Sequence, residues 1–65
     1  MKSSELLRKL RRLGATVQPQ RGKGGHVRVE LSGRRTIVPT GSGEIRTGTL
    51  HSILRDLGLR LDDLR

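Results

Sequence analysis

This 65-residue chain has no cysteine and no phenylalanine, tyrosine or tryptophan. Without cysteine, disulfides and thiolate metal sites are excluded, and a reducing cytoplasm is the expected home. Without aromatics the core must be aliphatic, drawn from eleven Leu, four Val, three Ile, one Ala and one Met. The stacking platforms used by readers of single-stranded RNA are missing as well. No apolar run approaches the roughly 18 residues of a membrane span, and the first residues lack the apolar segment of a secretory signal. The expectation is a single domain over residues 1–65 with no membrane role. A core this thin commonly needs a metal or a partner to support it.

Acidic residues are also scarce, six against fourteen Lys and Arg. The imbalance is local. Residues 1–40 hold ten cations and two acids, whereas residues 41–65 hold four of each. All the excess positive charge therefore lies in the first two-thirds of the chain. That is the electrostatic footprint of a protein that meets a polyanion, most often nucleic acid, although an acidic protein would use the same footprint.

The pattern of apolar residues predicts five elements. "SSELLRKLRRLG" reads as a helix capped by Ser3 or Ser4, with Leu6, Leu7, Leu10 and Leu13 on one stripe and Gly14 as its stop. "ATV" reads as a short strand ending near Pro19. From His26 the period changes to two: Val27, Val29 and Leu31 face one way, and His26, Arg28 and Glu30 the other. Ser32-Gly33 is a hairpin signal, and "RRTIV" returns as the partner strand up to Pro39. "TGSGEIRTG" reads as a loop rich in Gly and Ser, and its "TGSGE" part as a flexible connector in preference to a set of backbone donors for an anion. Thr47 then caps a second helix with Leu50, Ile53, Leu54 and Leu57 inward, and "RLDDL" adds a turn with Leu61 and Leu64 inward. The implied architecture is α+β: a small two-layer α-β-β-β-α domain, a three-stranded antiparallel sheet with two helices on one face. The uncovered face would carry His26, Arg28 and Glu30.

Much catalytic chemistry is excluded. His26 and His51 stand far apart with no cluster of metal ligands, and "GKGG" lacks the spacing and the Lys-Ser/Thr ending of a phosphate-binding loop. RNA cleavage asks for less. The 2′-hydroxyl beside the phosphorus is the nucleophile, so the protein must move protons and stabilise charge. An unperturbed imidazole, with a pKa of about 6.5, suits the proton transfer. Nearby cations and glycine-exposed N–H groups suit the charge. Gly22, Lys23, Gly24, Gly25 and His26 bring these together. Lys23 reads equally as a phosphate contact or a loop cation, and Arg28 as a phosphate contact or the partner of Glu30. Arg34 and Arg35 flank a turn, Arg8, Lys9, Arg11 and Arg12 read as a solvated helix face, and His51 as a surface residue.

Four segments taken in order, "ELLRKLRRLG", "KGGH" before a strand, "GRRTIVP" and "GEIRTGTLHSILRDLGL", resemble the HicA toxin family. The resemblance implies a fold like a double-stranded RNA-binding domain. It also implies a toxin of a type II toxin–antitoxin system, a metal-independent endoribonuclease acting on mRNA and blocked by a HicB-like antitoxin. By position the family's catalytic histidine is His26, with Lys23, Gly24, Gly25 and Arg28 as RNA- or phosphate-binding candidates. Two positions depart from the family pattern. A second histidine often follows the family's Val-Pro, where this chain has Thr40 and Gly41, and an aromatic often follows the first helix, where it has Ala15. The start of the second helix, Thr47 to His51, also lacks the lysine cluster with which double-stranded RNA-binding domains hold a duplex. A weak or inactive RNA-binding module of the same fold and a basic protein-interaction module remain as alternatives.

Overall fold

The computed structural model describes residues 1–19 and 25–65. Helix α1 spans Ser3–Arg12, strands β1, β2 and β3 span Thr16–Pro19, His26–Leu31 and Arg34–Pro39, helix α2 spans Thr47–Asp56, and a 3-10 turn spans Leu61–Leu64. The strands form one antiparallel sheet in the order β1-β2-β3. This is the α-β-β-β-α arrangement expected from the sequence.

Helix α1 buries Leu6 and Leu10 completely, one above the other at a spacing of four. Leu7 packs at the margin of the core, and Leu13 is 40% exposed. The sequence places Leu13 on the buried stripe, but the helix stops at Arg12 and Leu13 is its C-cap. The expected serine cap is likewise replaced. Lys2 is the N-cap, with no side-chain cap. The N–H of Ser3 instead donates to the Gly43 carbonyl at 3.1 Å, and Lys2 forms a β-bridge with Glu44. A distant loop thus satisfies one of the donors left open at the start of the helix. Helix α2 repeats the theme: Arg46 is its N-cap and Thr47 its first residue, again without a side-chain cap.

The β2–β3 hairpin turns through two residues in the left-handed region, Ser32 at φ 53° and Gly33 at φ 81°. Such a turn matches the twist of antiparallel strands, and it favours glycine because a Cβ is strained there. With Leu31 paired to Arg34, the register sets Val29 opposite Thr36 and Val27 opposite Val38, and β1 adds Val17 beside Val29. These residues form the inner face. Val29 and Val38 are fully buried against Leu6, Leu10, Leu50, Ile53, Leu54 and Leu57 from the helices. At the inner face Thr36 Oγ1 donates to Asp56 Oδ2 of α2 at 2.9 Å.

Two further expectations are corrected. The segment 40–46 is tied down at its end, because Ile45 is buried, its N–H donates to the Met1 carbonyl at 2.8 Å, and the Met1 ammonium lies 3.5 Å from Glu44 Oε2. In the 3-10 turn, Leu64 is buried but Leu61 is 45% exposed. It is the Leu64 end that is anchored, its carbonyl accepting from Lys9 Nζ at 3.2 Å. Lys9 is therefore a tether, while Arg8, Arg11 and Arg12 are exposed as a solvated helix face should be.

Candidate active site

The pleat that sends Val27 and Val29 inward turns His26, Arg28 and Glu30 to the open face. His26 is the first residue of β2, exposed, and paired across the sheet with Pro39. Arg28 lies between Gln18 of β1 and Ile37 of β3, and Glu30 between Thr16 and Arg35. The predicted open face is thus present, and the register adds Ile37 and Arg35 to it.

The backbone before His26 is held firmly. Gly25 has φ 90°, and its carbonyl accepts the N–H groups of Thr40 at 2.6 Å and Gly41 at 3.1 Å. A Cβ on Gly25 would stand 3.1 Å from the Gly41 Cα, backbone against backbone, so both the conformation and the contact call for glycine. Through this contact the Thr40–Gly41 loop is locked to the residue adjoining His26. The far end of the same loop is fixed by Ser3 and Met1. The position where the family often carries a second histidine is therefore beside His26 in space, and here its side chains are a hydroxyl and a hydrogen.

Lys23 and Gly24 lie outside the described residues. Arg28 is exposed, and among the described residues it belongs to no ion pair, so the expected pairing with Glu30 is not formed. The two hairpin arginines separate. Arg34 crosses to the helical layer, where a Cβ added to Gly58 would meet its Nε at 3.1 Å. Its cation lies over the carbonyl-rich end of α2, the negative end of the helix dipole. Arg35 stays on the open face. His51 is exposed beside Leu54, Leu59 and Arg60, on the helical side of the molecule.

Sequence reasoning missed one feature. An open cavity of about 370 Å³ is lined by Arg28, Arg35, Thr36, Ile37 and Asp56, along the edge strand β3. A tight Ser32-Gly33 turn is the signal that could have placed Ile37 opposite Arg28, but the contribution of Asp56 depends on how α2 docks. Among the described residues no group of three or more His, Cys, Asp or Glu side chains could hold a metal ion. The open face thus offers an imidazole, His26, with exposed cations near it on a shallow surface that a polymer can reach.

The sequence model of the HicA toxin of bacterial toxin–antitoxin systems matches residues 3–59. That span runs from the first residue of α1 past the end of α2 and includes His26 and the Thr40–Gly41 loop. A curated relative, the probable mRNA interferase HicA of Pseudomonas fluorescens (strain Pf0-1), is 43% identical over 61 residues, covering 92% of this chain and 98% of the relative.

Proposed function

We propose a mechanism from one premise: the chain belongs to the HicA toxin family of bacterial toxin–antitoxin systems, and it is an endoribonuclease. Its substrate is mRNA, and His26 is its general acid/base. The observation that carries this reading is the exposed imidazole on the open sheet face, set by the locked Gly25–Thr40–Gly41 backbone.

In the cleavage step the His26 imidazole takes the proton of the 2′-hydroxyl, and the resulting oxygen attacks the adjacent phosphorus. The bond from phosphorus to the 5′-oxygen breaks, leaving a 2′,3′-cyclic phosphate on one fragment. The departing oxygen takes up a proton from water or from the imidazolium to become a 5′-hydroxyl. General acid–base help of this kind is worth about 10² to 10⁴ in rate. Lys23, the Gly24–Gly25 backbone and Arg28 stabilise the charge on the phosphorus oxygens. The nucleophile is the substrate's own, so the step needs no metal. An antitoxin of the HicB type silences the toxin.

Incubating the purified chain with end-labelled mRNA in EDTA, beside His26→Ala, tests the reading. Cutting by the parent that disappears in the variant supports it, with 2′,3′-cyclic phosphate ends on the products. Equal cutting by both proteins, or dependence on a divalent cation, refutes it. The absence of a titratable side chain at Thr40 and Gly41 favours a second reading, an RNA-binding module of the same family with little turnover. That version predicts RNA binding by both proteins and cleavage by neither.

A further inference from the structure

The open sheet face holds four residues in a diagonal row. His26 and Arg28 are two apart on β2, about 7 Å at roughly 3.4 Å per residue, a span comparable to one nucleotide of an extended strand. Arg28 is paired with Ile37, and Arg35 is two residues from Ile37 on the same face. Both guanidinium groups are exposed, and among the described residues neither is in an ion pair, not even with Glu30 between them. Ile37 is 39% exposed, an apolar side chain with Arg28 across from it and Arg35 two residues before it. Arg28, Ile37 and Arg35 line the cavity on the β3 edge together with Asp56, whose carboxylate accepts from Thr36 Oγ1.

Salt-bridge partners would be the ordinary company of two exposed arginines on a sheet, and a polar residue the ordinary occupant of position 37. The arrangement fits an anionic chain whose units each carry a flat apolar surface. In a protein without aromatic side chains, a branched aliphatic is the available surface for a base.

We infer that Arg28, Ile37 and Arg35 form a nucleotide subsite for single-stranded RNA next to His26. It receives the nucleotide adjoining the scissile phosphate, an inference that rests on the ribonuclease reading above. The two guanidinium groups hold the phosphates, the base lies on Ile37, and Asp56 accepts from the exocyclic amino group of the base. The carboxylate favours bases that carry an amino group and disfavours uracil, whose edge is flanked by carbonyls. Arg35 and Ile37 are positioned by the hairpin register for this task, while Arg34 at the adjacent position is committed to the end of α2.

Binding of fluorescein-labelled ten-nucleotide oligo(C) and oligo(U) is measured by anisotropy, in the His26→Ala background so that nothing is cut. Arg35→Gln weakens oligo(C) binding about five-fold and lowers the salt slope by about 0.7, one phosphate contact of a single strand. Ile37→Ala weakens binding several-fold and leaves the salt slope unchanged. Asp56→Asn abolishes the preference for oligo(C) over oligo(U). Arg60→Gln, a cation on the helical side, alters binding by less than the Arg35 variant, and unchanged melting curves show that each variant is folded. If the parent binds and cuts RNA while Arg35→Gln and Ile37→Ala bind as it does, the subsite is wrong and the His26 reading stands. If those variants lose only the co-expressed antitoxin, the row is a protein interface and the inference is overturned. If the parent binds no RNA, the ribonuclease reading fails and takes the subsite with it.

Discussion

The two faces of the sheet share every residue's backbone and almost nothing else. On the inner face Val29 and Val38 are fully buried among leucines and isoleucines, and the polar pair Thr36–Asp56 is hydrogen-bonded. One residue away along the same strands, His26, Arg28, Arg35 and Ile37 are exposed. The inner face concerns stability and has little tolerance for change, since an aliphatic core in so short a chain leaves a small margin. The outer face is close to neutral for stability and carries the charge and the imidazole. Each residue is assigned to one role or the other by the alternation of the pleat.

The comparison is broken most strongly by separating activity from stability. His26→Ala lowers cleavage by about 10² to 10⁴, with its thermal midpoint close to that of the parent in calorimetry. The mirror experiment is Leu10→Ala, which removes a fully buried side chain and destabilises the fold by about 2–5 kcal/mol. Urea titration is the readout, and an unchanged midpoint at unchanged slope would mean that the core is not where the structure places it. Gly25→Ala lies between the faces. Its positive φ and the 3.1 Å approach to Gly41 cost about 1–3 kcal/mol, and activity falls further than stability because His26 shifts with its neighbour. Gly41→Ala, whose Cβ meets Gly25 at an ordinary 3.5 Å, is the milder counterpart. The smallest effect is expected of Thr36→Val, which keeps the shape and removes the hydroxyl bonded to Asp56, at about 1 kcal/mol. It weighs the polar link between the sheet and α2.

Most of the fold could be read from the residues in order. The i, i+3, i+4, i+7 spacing of Leu50, Ile53, Leu54 and Leu57, the alternation from His26 to Leu31 and the Ser32-Gly33 turn are local signals, and each element appears where they placed it. The misreadings share a cause. Ser3, the segment 40–46 and the final turn are read from local rules, but contacts from far along the chain decide them. Ser3 finds its partner in Gly43, Ile45 in Met1 and Leu64 in Lys9.

The candidate site divides in the same way. Composition and pattern by themselves determined a basic, aromatic-free α+β domain with His26 on an exposed strand face, because residue type and period two are properties of the local chain. Tertiary structure alone decided which groups stand near that histidine. It brought Thr40 and Gly41 against Gly25, sent Arg34 to the end of α2 while leaving Arg35 on the open face, and set Asp56 at the rim of the Arg28–Ile37 row. Those juxtapositions depend on strand register and on the docking of α2, which are fixed by burying the two leucine stripes against one sheet face and leave no mark in any short stretch of sequence.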